Sequence, residues 1–563
     1  MKAEMIITNA KVLTMDLTRP HAEAVALSGG RILAVGTRAE MEALAGPETR
    51  MVDAGGRTLL PGFVENHMHL FGGAELQHLQ LTGVQGMAAL KAAFAAFAAA
   101  NLDAPVLMAE GVDYGILGHA VTRADLDAVL PDRPIAMRAM DHHTVWANTL
   151  CLERAGLRHG AAMPVGHEVV MGPDGLATGE LREFEAFDPV LALAGVARMY
   201  VGISTGAEPP GPVPTADRAV DKAHIERGMR HCAARGFTTL ISMDGNRYTL
   251  ELLAEMEAEG RLLQRVKVPF HLKPEMDLSE LDRASAMAAD FQGDWVRSGT
   301  VKMFMDGVVD SRTAYMTEDY PGVPGHRSMP LFDPERFKAV CTEIDRRGLQ
   351  IAVHCVGDGA VHVTIDGYEA AGQANGFRDL RHRIEHIELI TRDDIPRLAA
   401  LGITASLQPA HAPGAMDFPL AGMEAVIAPH RWPDAYVWKT LADHGAKLAF
   451  ASDWPITDVS ALRSLQATVT RRPYLGAADE RVSLMDGLVA YTSGGAWAAH
   501  LEHLTGTLRA GMAADLVLID GNIETIPAEN LGQTGIALTI CGGRVTHDPK
   551  RIAARSTDLP RSH

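Results

Sequence analysis

Cysteine is scarce in this chain and shows no pairing pattern. Five cysteines (Cys151, Cys232, Cys341, Cys355, Cys541) are scattered through 563 residues, odd in number and without a C-x-x-C pair. That distribution points to a reducing compartment rather than a disulfide framework. Positive charge is also short: 52 Lys plus Arg stand against 70 Asp plus Glu, a formal charge of −18. This disfavours nucleic acid, which needs a basic surface, and fits an ordinary solvated acidic exterior. No apolar run is long enough for a bilayer, since the best candidate, residues 88–100, is short and contains Lys91. The opening Met1-Lys2-Ala3-Glu4-Met5-Ile6-Ile7 lacks the charged-then-apolar layout of an export signal. A cytoplasmic location is expected, with a small-molecule substrate as partner, no nucleic acid, no membrane, and a homodimer as the assembly.

What is present is the composition of a globular enzyme, 47% hydrophobic and 22% charged. Residues 1–60 read as short strands and tight turns, with Gly29-Gly30 as a hairpin signal. A similar pattern returns at Asp515–Ile519 and Ala537–Ile540, before Gly542-Gly543-Arg544. Neither end alone has enough apolar faces for a core. Residues 1–60 and 505–563 are therefore expected to build one small β-sandwich together.

Between them, residues 61–504 alternate apolar strand-like runs with helix patterns, the signature of a parallel α/β architecture. Eight such runs stand out: Phe63–His69, Gly236–Met243, Val266–Leu272, Thr300–Asp306, Gln350–Cys355, His382–Ile387, Ile403–Gln408 and Lys447–Asp453. Eight closes a TIM-type (β/α)8 barrel. Residues 72–220 are too long for a connection and hold apolar runs of their own, so they predict an insertion after the first strand that covers the barrel mouth.

The stretch that carries chemistry runs from Leu59 through Pro61-Gly62-Phe63 to His67-Met68-His69. Strand alternation puts His67 and His69 on one face, where two imidazoles can grip one metal ion. The plainer alternative is two histidines with separate hydrogen-bond partners. Lys302, His354, His386 and Asp453 fall at or near the ends of the fourth, fifth, sixth and eighth runs. In a barrel, the C-terminal strand ends converge on one active site.

At these residues the chain resembles the amidohydrolase superfamily, and within it the amidohydrolase-3, YtcJ-like branch that includes N-substituted formamide deformylases. The supporting phrases cover nearly the whole chain. They are Pro61-Gly62-Phe63, Asp125-Leu126-Asp127 with Pro131-Asp132-Arg133-Pro134, and Thr178-Gly179-Glu180-Leu181-Arg182-Glu183. Asp306-Gly307 with Ser311-Arg312-Thr313-Ala314, Ser406-Leu407-Gln408-Pro409, and Gly506-Thr507-Leu508 with Gly511 and Ala514-Asp515-Leu516 complete the set. These motifs are specific for the family and weak for the substrate.

The resemblance implies a metal-dependent hydrolase of a C–N bond, of amide or formamide type, with two Zn²⁺ ions. It implies that His67, His69 and Asp453 hold one ion and His354 and His386 a second. It also implies that Lys302 is carboxylated, so that its carbamate bridges both. Without that resemblance, Lys302 reads as a buried lysine paired with Asp306 or Glu385. The family chemistry would use metal-activated hydroxide, with Asp453 moving the proton to the leaving nitrogen.

Substrate-binding candidates are His143, which the family places near the substrate, and Arg312, Gln408 and Trp454. His143 reads equally as a cap for the following helix. Glu65, Asn66 and Val308-Val309-Asp310 depart from the family's usual residues. The segment Pro409–Tyr436, rich in Met, Pro and aromatics, is expected to share the walls of a mostly apolar pocket with residues 72–220. Arg312 or Arg431 would hold a single carboxylate there. Deamination, decarboxylation, C–C hydrolysis by the same site, and a non-catalytic scaffold stay open as alternatives.

Overall fold

A computed structural model describes residues 2–164, 166–194 and 208–553. The chain is an α/β protein, with five sheets among the described residues. Two of them are parallel and carry the apolar runs read from the sequence. In one, Phe63–Met68 pairs with Phe237–Ser242, which pairs in turn with Arg265–Lys267. In the other, Phe270–His271, Thr300–Phe304, Gln350–Cys355, Arg383–His386, Thr404–Leu407 and Lys447–Phe450 follow in order.

The third run is interrupted. Its first half belongs to one sheet and its second half to the other. Pro269 lies between the halves, and a proline has no N–H to give a ladder. The eighth and first runs meet beyond the ladders, where Asp453 N–H donates to His67 O at 2.9 Å and His69 N–H to Trp454 O at 2.7 Å. Glu65 adds a side-chain tie there, its Oε1 accepting Ser452 N–H at 2.8 Å. Burial pushes this Glu65 carboxyl up to about 8.

The chain's two ends do share a sheet. Leu516–Ile519 from the C-terminal part pairs antiparallel with Thr58–Pro61, and Lys11–Leu13 lies on the far side of that strand. A second sheet of Arg31–Gly36, Ala24–Ser28, Met5–Thr8 and Arg50–Asp53 packs over the same core through Ile7, Val25 and Val52. Gly29 and Gly30 make the hairpin with φ of 59° and 73°, which residues with a Cβ rarely adopt.

Residues 79–182 fold on a sheet of their own, six strands from Leu79–Gln80 to Ala177–Arg182. It has separate cores on its two faces, around Phe187 and around Phe94. The Ala-rich segment Met87–Ala100 is a helix that buries Phe94. The helix Thr215–Ala233 packs on the 3-10 turn Leu70–Gln77.

Candidate active site

All six ligand candidates converge below the C-terminal ends of the parallel strands. Ring centroids of His67 and His69 lie 5.7 Å apart, of His67 and His386 4.9 Å, and of His354 and His386 4.3 Å. Two of the positions, His386 and Asp453, take left-handed backbone, φ 77° and 57°. Such strain, of the order of 1–3 kcal/mol per residue, persists where the surroundings over-determine it and concentrates at functional sites.

The outer nitrogens of the first two histidines are already used. His67 Nδ1 lies 2.7 Å from Glu385 Oε2, and His69 Nδ1 lies 2.7 Å from Asp244 Oδ1. A carboxylate only accepts, so each Nδ1 carries a proton, and in the neutral ring each Nε2 keeps a lone pair. Both Nε2 atoms then face the same oxygen, Asp453 Oδ1, at 3.3 and 3.1 Å. Two lone pairs and a carboxylate oxygen at that distance repel unless a proton or a cation sits among them.

The electrostatics show the same demand. Burial lowers the His69 imidazolium, yet Asp244 and Asp453 at its two ends outweigh that and hold it up to about 9. Burial pushes His67 down to about 4 in spite of Asp453 and Glu385, and burial also takes His354 and His386 well below the usual histidine range. Burial would raise Asp453, but His67, His69 and His386 hold its carboxyl well below the ordinary value. His67, His354 and His386 are therefore neutral imidazoles around an ionised carboxylate, while His69 holds a proton that a bound cation would displace, and together they make a donor set for zinc-like cations. His386 Nε2 and Lys302 Nζ are buried without a hydrogen-bond partner, so the residues fit a metal centre.

Lys302 is not the paired core lysine of the plainer reading. Asp306 accepts backbone N–H groups from Tyr315, Val356 and Gly357 at 3.0, 3.0 and 2.8 Å. Glu385 is engaged by Arg383 through two bonds of 2.6 and 2.9 Å, besides His67. Lys302 Nζ instead sits 4.7 Å from the centroid of the Phe304 ring, which stacks on His354 at 4.8 Å.

A second layer escaped the sequence reading. Asp244, which orients His69, directly follows the second apolar run, and its place just past a strand's end was the available signal. Arg383 is buried and also donates to Asn66 O at 2.7 Å and Ser406 Oγ at 2.8 Å. It fixes Glu385, and through it His67.

The family profile described as amidohydrolase family matches residues 50–547. The chain belongs to the amidohydrolase family. The YtcJ protein of Bacillus subtilis (strain 168) is 27% identical over 551 residues, covering 95% of this chain and 98% of that one. The N-substituted formamide deformylase of Arthrobacter pascens is 25% identical over 547 residues, covering 92% and 93%. These relatives support the YtcJ-like branch. Among solved structures, an uncharacterized metal-dependent hydrolase from Pyrococcus horikoshii OT3 shares the fold with a TM-score of 0.71. It is 22% identical, over 93% of this chain and 99% of that one.

Beside the histidines of this amidohydrolase lies a cavity of ≈ 1680 Å³. Residues 71–191 supply one wall, including Glu75, His143 and Phe184, and the segments after the third and fourth strands supply the other, including Phe304 and Arg312. His143 Nδ1 pairs with Glu183 Oε2 at 2.7 Å, and its ring lies 5.9 Å from that of His354. Burial opposes a charge on His143, but the Glu183 and Asp141 carboxylates hold it up to about 9.

The other two binding candidates stand elsewhere. Trp454 is buried with its indole stacked on His231 at 5.3 Å, and it serves the site through its carbonyl, which takes His69 N–H. Gln408 is buried at the end of the seventh strand, both amide atoms without a hydrogen-bond partner, and is not on the cavity wall.

The Pro409–Tyr436 segment contributes Val426 to that wall rather than its aromatic rings. Tyr436 turns to the Arg471 guanidinium, which Trp438 and Tyr474 approach at 4.7 and 4.5 Å. Arg431 is taken by Asp358 at 2.6 Å and so offers no carboxylate clamp. His411 stacks on His386 at 6.1 Å and lies near Glu388. No helix among the described residues is long and apolar enough to cross a membrane.

Proposed function

We propose that this amidohydrolase-family protein hydrolyses a C–N bond, of amide or formamide type, in a small and mostly apolar substrate. The observation that carries the reading is the approach of the His67 and His69 Nε2 atoms to one oxygen of Asp453. In this reading His67, His69 and Asp453 would hold one zinc ion, His354 and His386 would hold a second, and a carboxylated Lys302 would complete the ligand set. The eight parallel runs, joined end to end by the Asp453–His67 and His69–Trp454 hydrogen bonds, support a TIM-type barrel. Residues 72–220 would be its lid, and the sheets shared by the two chain ends a β-sandwich.

Bound divalent cations supply water activation at neutral pH and polarisation of the scissile carbonyl. Asp453 accepts the proton from the attacking water and delivers it to the leaving nitrogen. Its left-handed backbone and three histidine neighbours keep the carboxylate aimed inward and ionised. His143 meets the substrate carbonyl from the lid side, while Phe184 and Phe304 offer apolar surface and Arg312 a site for one carboxylate. The relative named a formamide deformylase supports the C–N bond assignment.

The test is elemental analysis followed by a product screen. Up to two zinc ions per chain and turnover of neutral amides or formamides are expected. Absence of any transition metal after reconstitution with zinc and bicarbonate would overturn the metal site. Turnover confined to keto acids or amino-heterocycles would overturn the C–N assignment.

A further inference from the structure

Glu183 and His143 are tied to each other twice. The Glu183 backbone N–H donates to His143 O at 2.9 Å, while His143 Nδ1 meets Glu183 Oε2 at 2.7 Å. Both side chains are buried. The second carboxylate oxygen, Oε1, accepts the Thr313 hydroxyl at 2.9 Å. Thr313 belongs to the segment after the fourth strand, and its Oγ1 accepts Val308 N–H at 3.0 Å.

Gly307 leaves the room for this meeting. A Cβ there would lie 2.1 Å from Thr313 Oγ1 and 2.9 Å from Glu183 Oε1. The Gly307 carbonyl in turn accepts His354 Nε2 at 3.0 Å. An unbroken polar chain thus runs from His143, on the sheet of residues 79–182, to His354 on the fifth parallel strand. Glu183 itself is held in left-handed backbone, φ 63°, which a residue with a Cβ rarely adopts. A surface residue between a strand and a helix would relax out of that conformation. Here the backbone bond to His143 and the two side-chain bonds prevent it.

We infer that Glu183 is a positioning residue, which fixes the His143 ring so that Nε2 is the atom presented to bound substrate. With Nδ1 engaged, Nε2 is the ring's remaining polar atom, and His143 lines the cavity. Thr313 and Gly307 set the distance of that ring from His354. The inference rests on the amide-hydrolase reading, in which a carbonyl waits for His143. It extends that reading by giving Glu183 a role in orientation rather than in proton transfer or metal binding.

The experiment compares zinc-loaded full-length Glu183→Ala, Glu183→Gln and Thr313→Val with the parent, by crystallography and by kinetics on the amide or formamide that the parent turns over fastest. Glutamine keeps an acceptor for Nδ1 and a donor that Thr313 can accept from. The His143 ring should keep its place in Glu183→Gln and leave it in Glu183→Ala. A misplaced group costs up to about 10²-fold in rate. The kcat of Glu183→Ala should therefore fall by about that factor, with metal content unchanged and KM within a few-fold.

Glu183→Gln should recover most of the loss. Adding Glu183→Ala to a His143→Ala background should cost little more. Thr313→Val, which deletes only the hydroxyl, gives a milder loss of the same kind should the alanine variant not fold.

An unmoved His143 ring in Glu183→Ala and Thr313→Val would overturn the inference. So would a Glu183→Ala loss carried at full size into the His143→Ala background. If the zinc-loaded parent cleaves no amide, the hydrolase reading fails by that result, and the ring position still decides whether Glu183 fixes His143.

Discussion

Replacing Lys302 by methionine separates a metal-bridging lysine from a core lysine. The side chain is 0% exposed and its Nζ has no hydrogen-bond partner. Burial outweighs the pull of Glu385 and Asp453 and moves the ammonium from an ordinary 10.5 down to about 8. At about 1.4 kcal/mol per tenfold, that displacement is worth about 3 kcal/mol. The sign follows from the direction. The fold disfavours the proton, so the penalty is full below about pH 8 and fades as the pH rises toward 10.5.

At pH 7 the metal-free Lys302→Met protein should therefore be more stable than the metal-free parent, by an amount of order 3 kcal/mol. In the zinc-loaded state the ranking should reverse, because the parent gains stability from ions that bind only the folded chain. Bound zinc should fall below the parent's and turnover by at least about 10²-fold, with partial rescue by short carboxylic acids. Thermal melts of chelated and zinc-loaded protein, paired with elemental analysis, read both halves. Full metal content and activity in Lys302→Met, or a metal-free variant that melts below the parent, would refute the reasoning.

Asp453→Asn should leave the fold intact and remove turnover by about 10²–10⁴-fold, since an amide oxygen contacts metal weakly and accepts no proton; activity within a few-fold of the parent would take Asp453 out of proton transfer. Asp244→Asn removes the carboxylate that orients His69 at 2.7 Å and should weaken zinc affinity about 10–100-fold, which competition with a chelator measures; unchanged affinity would show that His69 needs no such partner.

Most of the architecture was legible because it repeats. Eight apolar runs of strand length separated by helix patterns leave few arrangements, and the six ligand candidates stood within five of those runs. The break in the third run was legible too, in Pro269, but its consequence needed the sheets on either side. The apolar walls were not legible from composition. Residues 409–436 hold the rings, yet Arg471, dozens of residues later, gathers Tyr436 with Trp438 and Tyr474 and leaves Val426 facing the cavity. A cation that decides where aromatics go leaves no local mark beside them.

The orienting carboxylates were hidden for a different reason. Glu385 and Asp244 act on histidines 318 and 175 positions away in the chain. Each is ordinary in its own stretch, one inside Arg383-Ile384-Glu385-His386 and the other after Ser242-Met243. Their meaning comes from which imidazole nitrogen they occupy, because an occupied Nδ1 is what turns Nε2 toward Asp453. A motif such as His-x-His names the residues that can ligate. Only the partners on the far nitrogens decide that both lone pairs point at one oxygen, and that decision turns two buried histidines into half of a metal site.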